Sequence, residues 1–269
     1  MAATPYQYAI LRLLADHRRQ RGESYVAGGV ALNQLLSKPR RSRNIDLFHD
    51  SDEALSATWF ADRALLLARG YKVDAFREAP SFVEAWVSLG SERVIMQWAR
   101  DSAFRFFPLI EDELMGLALH PFDLATNKAL AMAGRMEARD WIDIMSCDEK
   151  IQPFGYLTWA ACAKDPGFNP LSLIAEVSRS HYSQAELDML DFEGAAPDAA
   201  RLGERWHEIL RAAQAICNML PAEEVGKCVI TPGCDLFRGN PSQLADALKA
   251  GQIAYHPGRI GGAWPKFRE

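Results

Sequence analysis

The stretch GGVALNQLLSKPRRSRNIDLF, Gly28 to Phe48, decides how the fold is read. A glycine pair stands between a short apolar entry, Tyr25 to Ala27, and a helical run, Val30 to Leu36. Lys38-Pro39 ends that run, because proline disfavours helical geometry in the residue before it. Glycines at a helix start let the backbone approach a phosphate, whose charge the helix N-terminus favours. Gly28 and Gly29 are therefore candidate nucleotide-binding residues, with Arg40 and Ser42 just beyond. Asn44-Ile45-Asp46 then opens a buried strand reaching Phe48. Side chains two apart on a strand face the same side, so Asn44 and Asp46 converge. In phosphoryl and nucleotidyl transfer, two carboxylates at this spacing hold magnesium ions. Here one is a carboxylate and the other an amide.

Outward from this core, Tyr6 to Arg19 reads as an amphipathic helix. Ser51 is a helix N-cap, with Asp52 and Glu53 set against the positive helix end, and the helix Ala54 to Ala68 stops at Gly70. Three strands follow: Tyr71 to Phe76, Phe82 to Leu89 and Arg93 to Trp98. Pro121 and Asp123 open a helix, Leu124 to Ala133, which Gly134 interrupts before a second helix, Arg139 to Asp148. Beyond Pro153 the pattern is helical over Leu171 to Ser180, Gln184 to Asp191, Ala199 to Leu220 and Ser242 to Ala250. The glycine-, proline- and base-rich end, Tyr255 to Glu269, reads as a loosely packed tail.

The chain of 269 residues is 49% hydrophobic and 24% charged, an ordinary globular balance. Two domains are expected, 1–150 and 151–269. The net charge of −5 argues against a chain that coats nucleic acid indiscriminately. Local basic runs, His17 to Arg21 and Lys38 to Arg43, still suit a polyanion. The N-terminus lacks a secretory signal, and no apolar run approaches the roughly 20 residues that span a bilayer. Five scattered cysteines suit reduced thiols, so a cytoplasmic protein without a membrane partner is expected.

The run GG, short helix, RxSxxIDLF resembles the nucleotidyltransferase family of AbiEii/AbiGii-type toxins, whose core is similar to DNA polymerase beta. A second stretch, Asp123 to Cys147, resembles that family's lysine helix followed by its Arg-Asp-x-x-Asp helix. The resemblance implies an α/β (α+β) nucleotidyltransferase core, a small mixed sheet flanked by helices, with a mostly helical C-terminal region. It implies that Lys128 contacts nucleotide phosphates, and that Arg139, Asp140 and Asp143 complete the site or brace it. Asp140 and Asp143, three apart on one helix, share a face; a salt-bridged structural cluster is the other reading of these charges. A third acidic group belongs on a nearby strand, with Gln97 and Asp101 as the candidates.

The activity implied is magnesium-dependent transfer of a nucleoside monophosphate from a nucleoside triphosphate to an acceptor hydroxyl. By analogy with the family's toxins, the acceptor is a tRNA or other RNA, or a protein, and a cognate antitoxin is a partner. The family pattern is Asp-x-Asp where this chain has Asn44-Ile45-Asp46. The metal ligands are thus Asp46 and, weakly, Asn44, and turnover is impaired. The alternative is a pseudoenzyme that binds nucleotide or RNA without transfer.

Overall fold

The computed structural model describes residues 3–37 and 40–266, so the Lys38-Pro39 stop and the last three residues of the expected tail lie outside the described residues. The chain forms two compact units. The first runs through Ala103 and takes in Leu109–His120 and Asp191–Glu193; the second comprises Phe104–Pro108, Pro121–Leu190 and the chain from Gly194 onward. The division falls near His120 rather than at 150, because the helix pair after Pro121 packs with the helices that follow it.

In the first unit the order is α1 (Pro5–Arg21), β1 (Tyr25–Ala27), α2 (Gly28–Leu35), β2 (Asn44–His49), α3 (Asp52–Ala68), β3 (Lys72–Ala79), β4 (Phe82–Leu89) and β5 (Glu92–Arg100). After β6 (Phe104–Arg105), which belongs to the second unit, come β7 (Ile110–Asp112) and β8 (Gly116–Ala118). The sheet has seven strands in the order β3-β4-β5-β2-β1-β8-β7. The β2/β5 and β1/β8 pairs are parallel and the others antiparallel.

Helix α1 starts on a capping box between Thr4 and Gln7 and stops at Gly22, which takes the left-handed conformation at φ 66°. Ser51 caps α3 as expected, accepting the Ala54 N–H. Trp59 of α3 meets Trp98 of β5 edge to face at 4.8 Å. Strand β2 is not buried throughout: Ile45, Leu47 and His49 are buried, whereas Asn44, Asp46 and Phe48 are half-buried. Strand β4 alternates likewise, with Val83, Ala85 and Val87 buried. One sheet face is therefore covered, and the face carrying Asp46 is not sealed.

The second unit holds α4 (Pro121–Arg135), α5 (Ala138–Lys150), α6 (Phe154–Ala161), α7 (Pro170–Val177), α8 (Gln184–Asp188), α9 (Ala199–Met219), β9 (Lys227–Ile230), α10 (Pro241–Lys249), β10 (Ala254–Pro257) and β11 (Arg259–Ile260). Gly134 does not interrupt its helix; the break comes at Met136, φ 45°. Helix α6 has no polar stripe to reveal it, because all eight of its residues are buried. The basic end is not a loose tail over its described residues. Strand β11 pairs with β6, the Ala263 N–H bonds the Phe106 carbonyl, and His256 Nε2 lies 2.9 Å from the carbonyls of Phe106 and Ala263. Buried Asp123 ties this region together, accepting the N–H groups of Phe106 and Phe107 and pairing with Lys164 at 2.8 Å.

His49 closes the covered side of β2, with Nδ1 3.2 Å from the Ala99 carbonyl. Burial, aided by the charge of Arg18, pushes its pKa down to about 4 despite the opposing Ala99 carbonyl and Asp62. Between pH 6.5 and about 4 the unfolded chain then binds more protons than the folded one, so stability falls as pH falls through that window. Urea unfolding at pH 7 and pH 4.5 is expected to show about 2 kcal/mol less stability at the lower pH from this group. A His49→Met variant should lose that increment.

Candidate functional site

The β1–α2 junction places the glycine pair. Ala27 of β1 lies opposite Asp46 of β2, and the next residue, Gly28, has φ +66°. A Cβ at Gly28 would fall 2.1 Å from Asp46 Oδ2. The Asp46 carboxylate thus occupies the space that glycine leaves, beside the first turn of α2. A Cβ at Gly29 would lie 3.1 Å from Ser42 Oγ and 3.3 Å from an Arg40 guanidinium nitrogen. The N-cap position of α2 is Ala27, which has no side chain to bond the helix's first N–H groups.

The segment bearing Arg40 and Ser42 is pinned from two directions. Gln7 of α1 donates to the Ser42 carbonyl at 2.8 Å, and Ser42 Oγ bonds the Asn44 carbonyl at 3.2 Å. From far along the chain, the Asp191 carbonyl accepts the Arg41 N–H at 2.8 Å, and Phe192 bridges Arg40. Arg40 is buried, donating to the Arg41 carbonyl at 3.2 Å. The first unit thus brings Gly28, Gly29, Arg40, Ser42 and Asp46 together, and Asn44 shares the face of Asp46.

Strand register continues this face sideways. Asp46 lies opposite Gln97 on β5, Gln97 opposite Glu84 on β4, and Glu84 opposite Arg77 on β3. Gln97 donates its amide N–H to Glu84 Oε1 at 2.7 Å. A carboxylate only accepts, so this bond fixes the amide with its nitrogen toward Glu84 and its oxygen turned away. Asp101 accepts the Ser102 N–H at 2.7 Å and serves its own turn. Glu84 is an acidic neighbour of Gln97 that no sequence motif marks; the alternation of β4 places it on the unsealed face, but only the register sets it beside Gln97.

In the second unit, Lys128 of α4 pairs with Asp140 at 2.8 Å and with Asp143 at 3.1 Å, both on α5. Arg135 adds bonds of 2.7 and 3.0 Å to Asp140. Lys128, Asp140 and Asp143 are all buried. Burial pushes the Asp140 carboxyl up, but the Arg135 hydrogen bonds and the Lys128 charge outweigh it and hold the pKa at about 2. Arg139, near the start of α5, pairs with Glu137 at 2.6 Å.

No group of three or more histidine, cysteine or acidic side chains poised for a metal occurs among the described residues. Asp46 and Asn44 nevertheless offer oxygen ligands on one face, a donor type that suits magnesium, which takes one or two carboxylates together with substrate phosphates. None of the five cysteines forms a disulfide, and among the described residues no helix is long and apolar enough to cross a membrane.

No family model and no curated protein sequence matches the chain. Among solved structures, JHP933 from Helicobacter pylori is similar at TM-score 0.52 and 15% identity, over 91% of this chain and 94% of that one. The likeness is one of fold. MenT4, a nucleotidyltransferase toxin from Mycobacterium tuberculosis H37Rv, aligns at TM-score 0.48 and 17% identity, over 81% of this chain and 83% of its own.

Two outcomes follow from the packing. Gly28→Ala combines a left-handed backbone with overlap on Asp46, and is expected to lower unfolding stability by about 2 kcal/mol or more in urea titrations. Asp140→Ala leaves Lys128 with Asp143 as its remaining buried carboxylate and removes the Arg135 bonds, with an expected loss of about 2–3 kcal/mol by the same assay.

Proposed function

We propose that the chain is a nucleotidyltransferase, and that its nucleotide binds where Asp46 rests on Gly28 at the start of α2. The placement of that carboxylate beside an uncapped helix N-terminus, with Ser42 and Arg40 at Gly29, carries the reading. The resemblance of GG…RxSxxIDLF to the AbiEii/AbiGii-type toxins supports it. The N–H groups of α2, the Ser42 hydroxyl and the Arg40 guanidinium bind the triphosphate oxygens. Asp46, helped by the Asn44 amide oxygen, would hold magnesium, which neutralises phosphate charge when bound. An acceptor hydroxyl bonds to the α-phosphorus, the bond to the bridging oxygen breaks, and pyrophosphate leaves. The hydroxyl proton passes to water.

Lys128, Asp140, Asp143 and Arg139 are assigned to bracing α4 against α5. The short pairs of Lys128 with Asp140 and Asp143 support that role over direct phosphate contact, and Arg139, paired with Glu137, steadies the start of α5. On this reading the chain acts in the cytoplasm as a toxin restrained by an antitoxin, and its acceptor is an RNA or a protein.

The second reading is a nucleotide-binding pseudoenzyme. Two amides, Asn44 and Gln97, flank Asp46 on its face, and neither supplies the negative charge that metal binding favours. Incubation with each α-labelled nucleoside triphosphate, magnesium and total cell RNA and protein separates the two. Slow labelling by the chain, faster labelling by Asn44→Asp and none by Asp46→Ala is the expected pattern. Tight nucleotide binding with no labelling by either the chain or Asn44→Asp would leave the pseudoenzyme.

A further inference from the structure

The unsealed sheet face of the first unit continues past Glu84 into a strip of aromatic and arginine side chains. Register puts Phe82, Glu84 and Trp86 of β4 on this face, beside Ala99, Gln97 and Ile95 of β5. The Arg93 guanidinium lies 4.6 Å over the Trp86 ring, and Phe76 stands 6.1 Å from the same ring, centroid to centroid. The Arg77 guanidinium lies 4.7 Å over Phe82. Phe76 is 52% exposed. A bulge between Ala75 and Arg77 breaks the regular pairing at Phe76.

From these placements we infer that the β3–β5 face is a docking platform for single-stranded RNA, which it presents to Asp46. The inference rests on the transferase reading for the role of that RNA as acceptor, but not for its binding. Each ring already carries a guanidinium over one face, so unpaired bases stack on these ring–arginine layers while the arginines also pair with phosphates. The two rings stand four residues apart on β4, about 14 Å, with Glu84 between them. The Glu84 carboxylate accepts hydrogen bonds, which suits the 2′-hydroxyls that distinguish RNA from DNA. Two strand spacings, roughly 10 Å, separate Glu84 from Asp46, so a strand stacked along β4 passes beside the carboxylate of the candidate site. A duplex keeps its bases stacked on one another and cannot use these rings.

Fluorescence anisotropy with a labelled 12-nucleotide single-stranded RNA, the DNA of the same sequence and the RNA duplex tests the inference. The full chain should prefer the single-stranded RNA. A Phe82→Ala/Trp86→Ala variant with unchanged circular dichroism should bind it at least tenfold more weakly. Trp86→Phe should retain most of the affinity, and Arg77→Ala/Arg93→Ala should flatten the salt dependence. Phe60→Ala, a change at an exposed aromatic of α3, should have no effect. Unchanged affinity in the double aromatic variant, equal binding of DNA, or preference for the duplex would overturn the platform. Transfer is scored separately. Loss of labelling in Asp46→Ala with RNA affinity indifferent to Trp86 sinks the platform and leaves the transferase. RNA affinity that depends on Trp86, with no labelling by the chain or by Asn44→Asp, sinks the transferase and leaves the platform.

Discussion

The first unit depends on a close approach between a backbone and a carboxylate. At the end of β1 the chain must reverse into a helix while Asp46, on the neighbouring strand, projects onto the same spot. Any side chain at Gly28 would collide with Asp46, and the local backbone is one that side chains resist. The same geometry leaves the first N–H groups of α2 beside an anionic oxygen and the Ser42 hydroxyl. A helix N-terminus favours negative charge, so an anionic oxygen at this spot is itself stabilised there and helps to hold the β1–α2 turn against β2.

The second unit handles charge in the opposite way. Asp123, Asp140 and Asp143 are buried, and each meets a lysine; Asp140 is also met by an arginine and Asp123 by two backbone N–H groups. These carboxylates are matched within the unit by short ion pairs and hydrogen bonds. Buried ion pairs of this kind add little net stability, yet removing one partner is costly, so they act as devices of specificity that fix how the helices mesh. Motif resemblance alone could not distinguish a lysine held for phosphate from one held by two aspartates.

Much of the first unit was legible in the chain. The caps at Ser51 and Gly70, the alternation of β4 and the glycine pair each have a local physical signal, and their elements stand where expected. What failed to show is non-local. Helix α6 is apolar all round, so periodicity gave no face to read. The strands of the C-terminal region are two to four residues long and depend on partners far away in sequence, β11 on β6 above all. The candidate site divided similarly: Gly28, Gly29, Ser42 and Asp46 announced themselves through spacing. Glu84 did not, because its place beside Gln97 is set by strand pairing rather than by any motif.

The pinning of Arg40 and Arg41 by Asp191 and Phe192 has a temporal consequence. On the ribosome, α1 to β5 emerge early and contain almost every residue of the candidate site. The segment that fastens its arginines arrives some 150 residues later. A nascent chain can therefore assemble its sheet well before the arginine loop is fastened. Full order at the loop waits until about half of the second unit has been made, so a partly made chain carries most of the candidate site with its arginine loop unfastened.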